Sequence, residues 1–169
     1  TAEAKDYTLT YVADEGVNSK ATYTVEDENF TLVNPTKTGY TFVGWTGTGL
    51  AQATQNVTVL NGSLGDRTYT ANWTLNYYEI AISAEQGTVS VTYWNGTTEV
   101  STTAANEVSV YAVHDSKVLY YKNGNNFYEV RGFVATKAGY TATGIGSYIG
   151  STETLGAITL NNQLSTVWN

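Results

Sequence analysis

The only histidine of the chain, His114, lies in the run Ala-Val-His114-Asp115-Ser116. A nucleophilic triad places its base between an acid and a hydroxyl that converge across space. Three consecutive residues do not fold back on one another in that way, so the tripeptide reads as a turn between strands. Thiol chemistry is excluded, since the chain has no cysteine. The densest acidic run is Glu26-Asp27-Glu28. A Ca²⁺ ion needs several carboxylates converging on one point, but on a strand Asp27 faces away from both neighbours, and a solvated strand end is the expected role. Paired carboxylates for glycoside hydrolysis must flank a cleft, which small β units rarely offer. No catalytic residue, metal or cofactor is therefore expected. Aromatic rings are the remaining chemical resource: 14 Tyr, four Trp and four Phe. Ring faces attract the C–H faces of sugars, and two clusters qualify. Tyr120, Tyr121, Phe127 and Tyr128 surround the turn Asn123-Gly-Asn-Asn126, and Trp94, on the polar register of its strand, stands beside Asn95-Gly96. The alternative is that these rings are cross-strand pairs that stabilise hairpins.

The elements carrying these residues are strands. Tyr7, Leu9 and Tyr11 alternate with Thr8, Thr10 and Val12, the period of a half-buried strand. Ala21–Val25 alternates likewise, Phe30–Val33 continues apolar, and Asn34-Pro35 breaks the run. Gly39 and Gly44 bracket Tyr40, Phe42 and Trp45, which are expected to plug a core. Val57 and Val59 mark a strand, Asn61-Gly62 a turn, and Tyr69, Ala71 and Trp73 a last strand. The pattern then restarts with Tyr78–Ser83, Thr88–Tyr93, Val108–Val113 and the segments flanking Asn123-Gly124. Asn95-Gly96 favours a two-residue hairpin turn. The chain closes on Leu164, Val167 and Trp168.

The counts agree. Thr, Val and Tyr suit a pleated surface, and 16 Gly with a single Pro fit short strands joined by tight turns. The net charge of −7 is spread over both halves, −4 for residues 1–74 and −3 for 75–169. A chain this acidic lacks the basic footprint for nucleic acid or an anionic membrane. No apolar run reaches the roughly 18 residues that span a bilayer. The chain opens on Thr1 without a leader and is expected to be a piece of a longer protein.

An internal repeat supports the restart. Thr36–Trp45 and Thr136–Ile145 share six of ten residues at an offset of 100, Gly39-Tyr40 answering Gly139-Tyr140. Trp73 and Trp168 close the two halves. The expectation is a mainly β protein of two tandem domains, 1–74 and 75–169, joined without a flexible linker into an elongated, fairly stiff pair.

Residues 7–74 resemble the internalin B-type repeat, also called the Listeria–Bacteroides repeat. Tyr7-Thr-Leu-Thr-Tyr11, Tyr23-Thr-Val-Glu26, Asn34-Pro-Thr-Lys-Thr-Gly-Tyr-Thr-Phe-Val-Gly-Trp45 and Tyr69-Thr-Ala-Asn-Trp73 carry the resemblance. Residues 75–169 resemble a divergent copy, in which Ala142 and Ile145 answer Phe42 and Trp45 and extra length falls around Tyr111–Phe133. The resemblance implies a β-grasp-like unit in a secreted or cell-wall protein at the bacterial surface. It acts there as a spacer or adhesion module, toward a host or neighbouring-cell protein or glycan. The alternative is a carbohydrate-binding accessory module that uses the aromatics of the second domain. Sheet-edge pairing with a partner strand is a third route to adhesion. In such surface domains Lys and Asn can join in an isopeptide bond. Lys5 and Asn72 are the candidate pair here, with two solvent-facing polar residues as the alternative.

Overall fold

The computed structural model describes residues 1–14, 16–116, 118–140, 142–143, 163–165 and 167–168. Among them every regular element is a strand. The chain divides into two compact units, Thr1–Leu75 and Asn76–Asn169.

The first unit contains β1 (Tyr7–Val12), β2 (Thr22–Tyr23), β3 (Phe30–Thr31), β4 (Tyr40–Gly47), β5 (Thr58–Val59) and β6 (Arg67–Leu75). Its main sheet has the order β2-β1-β6-β4, with β1 parallel to β6 and the other pairs antiparallel. β3 and β5 form a separate ribbon. The alternation in β1 buries Leu9 and exposes Thr8 and Thr10. β2 is shorter than the alternating run around it. The chain turns at Thr24, whose carbonyl accepts from Asp27 N at 3.2 Å and whose Oγ1 accepts from Glu26 N at 3.2 Å. Such local side-chain bonds compete with strand extension.

The core gathers Leu9, Tyr23, Leu32, Trp45, Val57, Val59 and Tyr69, with Tyr11 and Phe42 packed against it. Phe42 and Trp45 are three residues apart, a spacing that a regular strand would send to opposite faces. Both reach the interior because β4 slips register against β6: Phe42 lies opposite Trp73, but Gly44 lies opposite Asn72. The extra residue is a β-bulge, and it turns Val43 outward. Gly44 has φ +146°, and a Cβ there would stand 2.6 Å from Thr54 N. Thr54 approaches so closely because it exchanges backbone hydrogen bonds with Trp45, at 2.8 and 2.9 Å. That exchange also covers part of the outer edge of β4, which limits edge-to-edge pairing at this side of the sheet.

The entry to β4 is a four-residue turn. Tyr40 N donates to Lys37 O at 3.0 Å with Gly39 at φ +81°, and Lys37 Nζ sits 4.3 Å from the Tyr40 ring centroid. A positive φ at the third turn residue is what glycine supplies. The second unit repeats the device: Tyr140 N donates to Lys137 O at 3.0 Å, Gly139 has φ +82°, and Lys137 Nζ lies 4.2 Å from the Tyr140 ring. The shared Lys-x-Gly-Tyr motif is thus a turn with its own cation–π lock. Tyr140, expected in the core, is instead 53% exposed, because its ring lies under Lys137 on the surface.

The second unit is built on β7 (Tyr78–Trp94), β8 (Glu99–Ala112), β9 (Leu119–Asn123) and β10 (Asn126–Thr136), with β11 (Ala142–Thr143), β12 (Gln163–Ser165) and β13 (Val167–Trp168). The two alternating runs expected over 78–93 are one long strand. A register shift between Ser83 and Thr88 bends it, and Asn106 Oδ1 accepts from Gln86 N there at 3.2 Å. β7 to β10 follow as an antiparallel meander, and β10 returns to pair with β7, so the four strands close on themselves. Ile80, Ile82, Val89, Val91, Val110, Leu119 and Val130 fill the interior.

The hairpin after Trp94 is longer than a two-residue turn. Asn95 Oδ1 accepts from both Thr97 N and Thr98 N at 2.9 Å, and only Gly96 has positive φ, so the side chain of Asn95 closes a four-residue loop. The β9–β10 turn is tight, with Gly124 and Asn125 as its central pair and Gly124 at φ +64°. That is the II′ arrangement, glycine first.

The outer strands of the second unit repeat the register of the first. In unit one, Thr10 and Tyr11 lie parallel to Thr68 and Tyr69, and Phe42 lies opposite Trp73. In unit two, Ala81 and Ile82 lie parallel to Gln163 and Leu164, and Ala142 lies opposite Trp168. Tyr69 precedes Trp73 by four residues as Leu164 precedes Trp168, and Tyr7 precedes Thr10 by three as Tyr78 precedes Ala81. The side chain of Trp168, like residue Ile145, lies outside the described residues.

Candidate functional site

The residues suited to catalysis are engaged in structure. His114 and Asp115 form a turn, with His114 Nε2 3.5 Å from Asp115 Oδ2. Ser116 Oγ accepts from Val118 N at 3.1 Å, closing the same turn. His114 Nδ1 is buried without a hydrogen-bond partner among the described residues. In the acidic run, Asp27 pairs with Lys20 at 3.1 Å and accepts from Thr24 Oγ1. The Lys20 hydrogen bond holds the Asp27 carboxyl below its ordinary pKa. Among the described residues, no three His, Cys, Asp or Glu converge as metal ligands. A shallow cleft of about 210 Å³ beside β1 is lined by Tyr11, Lys20, Phe30 and Val33 among others, and its described lining holds no carboxylate.

Asn72 has a structural task. Its Nδ2 donates to Gly44 O at 3.1 Å, Thr70 O at 3.0 Å and Thr46 Oγ1 at 3.0 Å, fastening the bulge of β4. Lys5 Nζ lies 5.5 Å from the Tyr7 ring. An isopeptide bond would expel the nitrogen that makes these contacts. Two outcomes follow. The intact mass should equal the unmodified sequence, with no loss of ammonia. Asn72→Ala should lower stability by about 1–3 kcal/mol in chemical denaturation, the cost of losing the donor to the part-buried Gly44 carbonyl and the tie across the bulge.

The second unit brings the aromatic candidates together in two groups. Tyr121 and Tyr128 stack on the buried Tyr93, with ring centroids at 4.7 and 5.5 Å. On the outer face of the hairpin, Phe127 stacks on Tyr77 at 3.7 Å with planes 8° apart, while Tyr120 meets Tyr77 and Tyr111 meets Phe127 edge-on. All five rings of β8 to β10 involved are half-buried. Tyr77 and Tyr111, which complete the outer group, are separated in sequence from Phe127, and only the pairing of β8 with β9 places them beside it.

Trp94 stands apart from both groups. It is 37% exposed at the outer end of β7, opposite Glu99, and Arg131 Cζ lies 5.4 Å from its ring. Arg131 was not singled out by sequence pattern. It is the extra residue of a bulge in β10, between Val130 and Gly132, and that bulge sends its side chain outward toward the indole.

Burial raises the hydroxyl pKa of three tyrosines. At Tyr11 burial is followed by repulsion from Tyr69, at Tyr111 by Glu79, and at Tyr120 by Tyr77 and then Glu129. A raised folded pKa means the unfolded chain ionises first, so stability is complete below about pH 10 and is lost as pH rises through the folded values. The melting temperature should therefore fall as pH climbs above about 10. Tyrosinate absorbance should appear in the same interval as the loss of strand signal.

Residues 7–75 match the Listeria–Bacteroides repeat domain. The match begins at the first residue of β1 and ends at the last of β6, so this repeat takes in the whole mixed sheet with its ribbon. Listeria–Bacteroides repeats occur in bacterial surface proteins and are generally non-catalytic. No curated protein and no solved structure matches the chain. No described helix is long and apolar enough to cross a membrane.

Proposed function

We propose that the chain is a non-catalytic segment of a bacterial cell-surface protein, serving as spacer and adhesion module. The observation that carries this reading is the repeat match over residues 7–75, supported by a core motif spent on packing. Trp45 and Tyr69 are wholly buried, and the half-buried Phe42 and Trp73 pack edge-on at 5.4 Å, so the motif's largest rings serve packing. The second unit reads as a divergent, β-grasp-like copy of the same repeat. Its support is the matched strand register and the repeated Lys-x-Gly-Tyr turn, with β8 to β10 standing between the first strand and that turn. Partners are a host or neighbouring-cell surface protein or glycan, met outside the cell wall.

Protease treatment of intact cells that make the parent protein tests the location. Release of fragments containing this segment is the expected result. Complete protection until the cells are lysed would contradict it. Multiple-turnover hydrolysis of a polymer by the purified chain would contradict the non-catalytic reading.

A further inference from the structure

We infer that the outer face of the closed meander, centred on Trp94, is a binding platform for a neutral polysaccharide chain. The inference goes beyond the spacer reading and does not depend on it. Tyr93 is buried at 5%, so strand alternation sends Trp94, Thr92 and Ser90 outward. Thr92 lies opposite Ser101 on β8, and their hydroxyl oxygens are 2.7 Å apart; Ser90 and Thr103 repeat the pair one row along, again at 2.7 Å. Each pair uses one O–H internally and keeps the other, with spare lone pairs, for a ligand. Because the side chains are already tied to one another, little rotamer freedom remains to be lost on binding. On the other flank Thr92 lies opposite Gly132, where a Cβ would meet nothing within 4 Å. The face is therefore low and open beside the indole.

The chemistry of this face selects the ligand. An indole offers an apolar surface with a polar edge at a wet boundary, and rows of hydroxyls offer exchangeable hydrogen bonds. A sugar ring presents the complement of both, C–H groups on its face and hydroxyls at its rim. Charge argues for a neutral polymer. Arg131 is held by the indole at 5.4 Å and by Glu129 at 3.6 Å, and the chain carries a net charge of −7, which repels polyanions.

Affinity electrophoresis of the whole chain tests this, with hydroxyethylcellulose, galactomannan, xylan or glycogen in the gel and polygalacturonate as the anionic control. The expected result is retardation by at least one neutral polymer. Trp94→Ala should weaken it by about tenfold or more, as loss of a central aromatic anchor does. Gly132→Glu, which has room to fold, should abolish it. Unchanged thermal unfolding of both variants shows that the sheet is intact. Failure of every neutral polymer to retard the chain overturns the inference. So does retardation unaffected by both substitutions, or retardation by polygalacturonate alone.

Discussion

Trp45→Ala is expected to remove a large part of the first unit's stability. The indole is fully buried at the meeting point of β1, β4 and the ribbon, edge-on to Tyr11 at 6.3 Å and to Phe42 at 5.5 Å. Emptying such a site costs about 3–5 kcal/mol. A unit of this length has a total stability of about 4–11 kcal/mol, so the loss ranges from about a quarter of it to all of it. Trp45→Phe separates packing from polarity. The indole N–H is buried without an acceptor among the described residues, and Phe removes that unpaired donor along with part of the ring. Its cost should stay within about 1.5 kcal/mol. Urea unfolding followed by circular dichroism distinguishes the two. A large loss in both variants would mean that the nitrogen has a partner and the core is arranged differently.

Gly47→Ala should be nearly as damaging, although it adds only a methyl group. Gly47 ends β4 at φ +136°, and a Cβ there would stand 2.0 Å from Thr68 O and 3.0 Å from Thr68 C. Both are backbone atoms of β6, fixed by pairing with β1, so neither can rotate aside. Positive φ alone costs a residue with a side chain about 1–2 kcal/mol. The clash adds to it, and we expect a total above about 3 kcal/mol. Gly62→Ala is the matched control. It has φ +85° but open space around the added Cβ, so its cost should be the conformational part alone, about 1 kcal/mol. Equal effects at the two glycines would show that the close approach of β4 to β6 is misplaced.

Strands were legible where alternation runs without a competing local bond; β2 fell short of its run Ala21–Val25, and the first part of β8, from Glu99, was not read from the sequence, which marked only Val108–Val113. β1 occupies the residues its alternation marks, Tyr7–Val12, because period two and half-burial are the same fact seen twice. The Phe42–Trp45 part of the wedge was legible too, since Gly44 beside it already required special backbone; Tyr40, expected to plug the core with them, lies instead half-buried under Lys37. The bulge was less so: Phe42 and Trp45 both being apolar is compatible with a strand whose two faces are buried, and only pairing with Asn72 and Trp73 decides between them. Asn95-Gly96 was misleading because the carboxamide of Asn95 bonds two amides ahead, an alternative open to any Asx residue at a strand end. The return of β10 to β7 has no local signal at all. Its partners, such as Phe133 and Val91, are far apart in sequence, and strand choice at that range is set by the whole interior. The same nonlocality hid Arg131 behind Trp94 and Tyr77 behind Phe127.

Trp45 is the fixed middle of a bulged wedge that organises the repeat. Residue-resolved hydrogen exchange on the native chain measures this. The backbone amide of Trp45, bonded to Thr54 O at 2.8 Å, should exchange only through global unfolding of the first unit, as should that of Thr54. Exchange of both amides as fast as in an unfolded peptide would contradict it.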